Sequence, residues 1–199
     1  MKHLSLILII LILSCCPLHP AYAFFDKDIR LLTMRDGLAD NTIPCIYKDE
    51  DGFMWFGTDN GLSRYDGKTI QNFKPANTYV SIAAIVRLSD DFLGIVSDGY
   101  LYYFNRKQET FFPIHTESDT AIGVFNVLPA DDSSFWGISG NRLILCQWEI
   151  QQGKEEEKTA VRVRIQKTFQ LLEEKGEVFS SLCYHEKAGN GMWLTTNRG

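Results

Sequence analysis

The sequence predicts an all-β protein: a β-propeller built of four-stranded blades, incomplete, with about three and a half blades present. Three observations carry that prediction. Short apolar segments alternate with Asp-Gly and Asn-Gly dipeptides, which tolerate the positive φ angles of tight hairpin turns. The segments come in fours, and the four-segment unit recurs at intervals of roughly forty residues. No helix of useful length competes, since Leu171-Leu172-Glu173-Glu174-Lys175 is too short to stand alone as one.

Residues 1–23 read as an address rather than a fold. Lys2 and His3 precede Leu4 to Leu13, in which only Ser5 is polar, and Ala21-Tyr22-Ala23 follows. A basic start, a short apolar run and an A-x-A exit predict a secretory signal peptide cut after Ala23, with Ala21 and Ala23 as its small cleavage-site residues. The run is too short to span about 30 Å of hydrocarbon as a helix. A rival reading makes Leu13-Ser14-Cys15 a loose lipobox with a lipidated Cys15. Either way the chain is expected to be exported to the periplasm, and with cleavage after Ala23 any membrane tether is supplied by segments further along.

Residues 24–42 are expected to hold an N-terminal strand (Phe24 to Leu32), paired in the last blade, and the lead-in to the first blade. Residues 43–199 are expected to hold blades 1 to 4. The first unit divides into strands at about Ile43 to Lys48, Phe53 to Thr58, Leu62 to Asp66 and Thr69 to Phe73. The second runs Ile82 to Leu88, Phe92 to Gly99, Tyr100 to Asn105 and Thr110 to Ile114. The third runs Val124 to Leu128, Ser134 to Gly140, Arg142 to Trp148 and Val161 to Phe169, with a polar extension at Gln151 to Lys158. The fourth opens with Val178 to Tyr184 and Gly191 onward, where the chain stops. The second-strand glycines Gly57, Gly94 and Gly137 align the units, 37 and 43 residues apart, with Thr195 at the corresponding place 58 residues on. Gly99, Trp136 and Trp193 extend the same alignment. A blade left open at its edge predicts that residues 24–199 alone are poorly soluble or partly folded.

Beyond residue 23 there are 19 basic residues (20 less Lys2) and 25 acidic ones, a net charge of −6. An acidic chain without a basic stripe argues against nucleic acid as a partner. Cys45, Cys146 and Cys183 are odd in number and lack C-x-x-C spacing, so they predict buried strand thiols rather than disulfides or a zinc site.

From Asp49 to Asp66 the sequence resembles the two-component regulator propeller repeat, approximately D-x-x-G-x-x-W-x-G-T-x-x-G-L-x-x-Y/F-D. Asp49, Gly52, Trp55, Gly57, Thr58, Gly61, Leu62, Tyr65 and Asp66 stand at the matching positions. Leu32 to Ile43 also resembles the family's entry into its first blade. The resemblance implies the sensing region of a larger receptor. Such receptors carry paired seven-bladed propellers, a β-sandwich, one membrane helix and a histidine kinase, often with a receiver and a DNA-binding module. It further implies an oligosaccharide ligand, dimerisation of the full receptor, and no kinase activity in these residues.

The motif residues are expected to carry structure rather than chemistry. Trp55 is expected to pack between blades, Gly57 to permit close backbone approach, and Asp59-Asn60-Gly61 to make a turn. Asp49-Glu50-Asp51-Gly52 lacks the ligand spacing of a calcium loop and reads as a hairpin turn, like Asp131-Asp132. His115 and His185 have no second ligand at metal spacing, and no catalytic motif or cofactor site is found. The aromatic residues Phe73, Tyr79, Tyr100, Tyr102, Tyr103, Phe111 and Phe112 are candidate exposed stacking faces for a sugar. The rivals to a sensor are a secreted propeller lyase or glycosidase and an intracellular WD-type scaffold. The enzyme reading lacks S-x-D-x-G-x-T-W boxes, and the scaffold reading conflicts with the export signal.

Overall fold

The computed structural model describes residues 29–74, 80–151, 160–170, 179–185 and 191–196. The chain divides into two units, Met1–Leu31 and Leu32–Gly199, and the architecture below is that of the second. The signal segment with Ala21 and Ala23, Tyr79, residues 152–158 and residues 171–176 lie outside the described residues.

Residues 29–32 are outside any strand, and residues 24–28 of the strand predicted from Phe24 to Leu32 lie outside the described residues. The lead-in instead tightens into a 3-10 turn at Met34–Asp36. Thr33 and Asp36 drive it: the Thr33 amide donates to Asp36 Oδ2 at 2.9 Å, and the Arg35 amide donates to Thr33 Oγ1 at 3.2 Å. Leu38 is then buried, and the lead-in is tied to the first sheet by Ala39 N donating to Ser63 Oγ and Asn72 Nδ2 donating to Gly37 O.

Four antiparallel meanders follow, and their strands agree with the predicted ones to within about three residues at each end. The first sheet comprises β1 (Cys45–Lys48), β2 (Met54–Thr58), β3 (Gly61–Tyr65) and β4 (Ile70–Phe73). The second comprises β5 (Ile82–Arg87), β6 (Phe92–Ser97), β7 (Tyr100–Asn105) and β8 (Thr110–Pro113). A two-residue strand, β9 (His115–Thr116), precedes β10 (Phe125–Asp131), β11 (Ser134–Ser139), β12 (Arg142–Gln151) and β13 (Ala160–Gln170). The fourth sheet holds β14 (Phe179–His185) and β15 (Gly191–Thr196). The third sheet departs from expectation, because β9 adds to it in parallel, pairing His115 with Arg162 and Thr116 with Val163.

Successive sheets stack face to face, and the innermost strands β1, β5, β10 and β14 neighbour one another in turn. Alternation along β7 shows how. Tyr102 and Phe104 enter the core shared with the first sheet, while Leu101 and Tyr103 enter the core shared with the third. With both faces covered, every residue of β6 is buried, which is why Phe92–Ser97 reads as a nearly continuous apolar run. A third core, around Ile138, Leu143 and Leu182, joins the third sheet to the fourth. The fold is that of consecutive propeller blades.

Candidate functional site

The first blade is closed by a carboxylate. Asp49 ends β1, and its Oδ1 accepts the Phe53 amide at 2.8 Å, which shapes the turn that Gly52 completes at φ +90°. Its Oδ2 accepts the Trp55 indole N–H at 2.7 Å and the Arg106 guanidinium, from the second blade, at 3.0 Å. Trp55 is fully buried, edge-on to Phe104 of the second blade at 5.6 Å. The buried carboxylate therefore has each oxygen satisfied, and one satisfying charge comes from the neighbouring blade.

The other motif residues serve turns and close approach. A Cβ on Gly57 would stand 2.8 Å from the Ile82 carbonyl oxygen, so this glycine is where β5 presses onto β2. Thr58 Oγ1 donates to the Gly61 carbonyl and accepts the Asn60 amide, holding the turn in which Gly61 has φ +112°. Leu62 is fully buried beside Trp55, and the Tyr65 hydroxyl donates to the Gly67 carbonyl at 2.6 Å. Asp66 accepts from the amides of Lys68 and Thr69 and from the Thr69 hydroxyl, which pulls its carboxyl down to about 2.

Strand register corrects the alignment of the later units. Thr58, Ser97, Ser139 and Thr196 each end the second strand of their sheet. Three residues before them stand Trp55, Gly94, Trp136 and Trp193, so these four share one position. Gly57 corresponds instead to Val96 and Ile138, not to Gly94 and Gly137. The turns after β2, β6 and β11 are all two residues long, but the glycine falls at a different place in each strand, which had hidden this. At Gly94 the tryptophan's place is taken by Val86 and Leu88, whose side chains lie 2.7 and 3.0 Å from where a Cβ would be. Trp136 is half-buried against Phe169, and Trp193 is 58% exposed. Gly99 has φ +81° and carries the Phe125 ring over its backbone.

Burial corrects two further expectations. Phe73 and Tyr103 are core residues, and Tyr102, Phe111 and Phe112 are half-buried against the cores, so of the described candidate stacking faces only Tyr100 is exposed. The sheets need those rings on faces that another sheet covers. Cys146 is buried and Cys45 largely so, and burial pushes their thiols up to about 12 and about 11, but Cys183 is exposed. No group of His, Cys, Asp and Glu among the described residues could hold a metal ion.

What sequence reading missed is a cleft of about 470 Å³ between the first two blades, on the side of the β1–β2 and β5–β6 turns. Its walls hold five carboxylates (Asp49, Glu50, Asp51, Asp90, Asp91) and four cations (Arg64, Arg87, Arg106, Lys107), with Tyr47, Ser89 and Leu93. Arg106 bridges the blades, reaching Asp49, Asp51 at 2.5 Å and the Asp90 carbonyl at 2.7 Å. Arg87 meets Asp90 at 2.6 Å and Glu50 at 3.6 Å. Arg64 lies over the rings of Phe53, Trp55 and Phe73 at 5.1 to 5.5 Å. The one available sequence signal was the charge density of the turns Asp49–Asp51 and Ser89–Asp91.

A family model described as two component regulator propeller matches residues 37–60. The match includes Asp49, Gly52, Trp55, Gly57 and Thr58, so the regulator propeller signature falls on the carboxylate–indole tie and the close-approach glycine. No curated protein matches the sequence. Among solved structures, the extracellular domain of BT4673 from B. thetaiotaomicron, assigned to a one component system, is similar. It gives a TM-score of 0.54 at 16% identity, over 83% of this chain and 22% of that one. A second structure of the BT4673 extracellular domain, assigned to a hybrid two component system, gives 0.53 at 16% identity over 82% and 21%. The chain thus spans about a fifth of the length of these neighbours, and the likeness is one of fold. No helix among the described residues is long and apolar enough to cross a membrane.

Proposed function

We propose that this chain is an extracytoplasmic sensing region of a two-component signalling receptor, and that its ligand is an oligosaccharide. The observation that carries the reading is the regulator propeller repeat at residues 37–60, set in stacked four-stranded sheets. The export signal read in residues 1–23 and neighbours named as extracellular domains support the same side of the membrane. The described residues supply packing and turn chemistry, so signalling runs through ligand-dependent packing of blades, or of two receptor copies, rather than through catalysis here. Further blades and the downstream receptor modules are its partners in this reading.

The test is a transcriptional reporter in cells carrying the complete gene, challenged with a panel of oligosaccharides. Induction by one glycan, with direct binding by the purified full-length protein in calorimetry, is the expected result. Release of new reducing ends from that glycan by the purified protein would instead make it a secreted carbohydrate-active enzyme.

A further inference from the structure

We propose that the cleft between the first two blades is the binding site, and that it takes a neutral saccharide. This rests on the sensing role proposed above and adds to it a place and a charge class. The first ground is charge balance. Five carboxylates face four cations across the cleft, a formal sum of −1, and Arg87, Arg106 and Lys107 already lie against carboxylates. Arg64 is likewise paired, with Glu109 at 3.3 Å, so a uronate or sulfate entering there meets no cation whose charge is unbalanced. A free cation meets Arg87 and Arg106. An uncharged polyol incurs neither cost.

The second ground is the set of hydrogen-bonding groups left over. The Ser89 hydroxyl is buried and without a partner, and Tyr47 lines the same cleft. Arg87 engages its carboxylates through Nη2, leaving its other guanidinium nitrogens to a ligand. Ligand hydroxyls both donate and accept, so they can bridge these donors to the outer oxygens of Glu50 and Asp91. A volume of about 470 Å³ falls within the range of about 300–1,000 Å³ that small-molecule sites occupy. A ligand seated there touches both blades and so responds to the angle between them.

The experiment is calorimetric titration of the full-length protein with neutral oligosaccharides (xylan, mannan, glucan and galactan fragments) and with acidic ones (oligogalacturonate, chondroitin sulfate). It is repeated on Tyr47→Phe, Ser89→Ala and Arg87→Gln, with Lys167→Gln as a control on the exposed part of β13. The expected result is binding of a neutral fragment, weakened about fivefold by each hydroxyl deletion and more by the arginine change. Melting temperatures and the control should stay unchanged. Neutral binding that survives all three changes would overturn the site and leave the sensing role standing. Preference for the acidic fragments would overturn the charge class, and no binding to either set would overturn both this proposal and the saccharide-sensing reading.

Discussion

The first two blades occupy the same positions with opposite chemistry. In the first, Asp49 closes the turn and Trp55 faces it across the hairpin, joined by an indole N–H···O bond of 2.7 Å. In the second, Leu88 closes the equivalent turn, its amide donating to the Phe92 carbonyl at 3.1 Å as the Asp49 amide donates to that of Phe53 at 3.0 Å. Gly94, which pairs with Val86, stands at the position of Trp55, and the Val86 and Leu88 side chains lie 2.7 and 3.0 Å from where its Cβ would be. Both members of the pair have changed together. A buried carboxylate needs donors, and once the indole is gone an apolar side chain is the cheaper occupant. The motif is therefore a coupled unit, and its apparent degradation in the second blade is a replacement.

That comparison is broken most severely at Trp55. Trp55→Ala removes the largest fully buried side chain among the described residues and one of the three donors to Asp49, so a loss of about 3–5 kcal/mol is expected in denaturant unfolding. Trp136→Ala, at the same register but half-buried, should lose less than half as much. Gly57→Ala comes next. Its Cβ would lie 2.8 Å from the Ile82 carbonyl oxygen, backbone that cannot swing aside, and about 1–3 kcal/mol should be lost. Gly52→Ala sets the scale for conformation alone, because its φ is +90° with open space around it, and about 1 kcal/mol is expected. If the Gly57 change costs no more than the Gly52 change, close approach of the blades is not what this position enforces.

A smaller effect sharpens the coupling across the blades. A double-mutant cycle of Asp49→Asn and Arg106→Gln should give an interaction energy of about 1–2 kcal/mol, because the pair is bonded at 3.0 Å with the Asp49 side chain only 3% exposed. Strict additivity would mean that Arg106 is held by Asp51 and the Asp90 carbonyl alone.

The strands were legible because their ends are marked. Asn60-Gly61, Asp98-Gly99 and Gly140-Asn141 all sit at turns, with Gly61, Gly99 and Gly140 at positive φ. Equivalence between units was not legible from glycine identity, since Gly57, Gly94 and Gly137 stand one, two and three residues from their turns in no fixed order. Counting back from the turns would have aligned Trp55, Gly94, Trp136 and Trp193. Two-residue β9 carries no periodic signal at all. Nor could the sequence say which rings are covered, because burial of Phe73 and Tyr103 depends on the neighbouring sheet and not on their own strand. The cleft was hidden for the same reason, being assembled from turns about forty residues apart.

The smallest expected effect concerns another turn of the first blade, in which Asp66 bonds to Lys68 and Thr69. Asp66 is held near a pKa of about 2, against an ordinary value of 3.8, by the Thr69 and Lys68 amides and the Thr69 hydroxyl. A depressed carboxyl contributes stability above its unfolded pKa and loses it as pH falls through the folded value. The contribution of this exposed turn should therefore be present above about pH 4 and fade between there and about pH 2. Asp66→Asn should flatten the acid limb of the melting curve in that window and leave the neutral-pH melting temperature lowered only slightly. Asp49 makes the contrasting case, since its bonds join strand, indole and second blade and Asp66 holds only its own turn. If Asp66→Asn proved as damaging as Asp49→Asn, the distinction between interblade tie and local turn would fail.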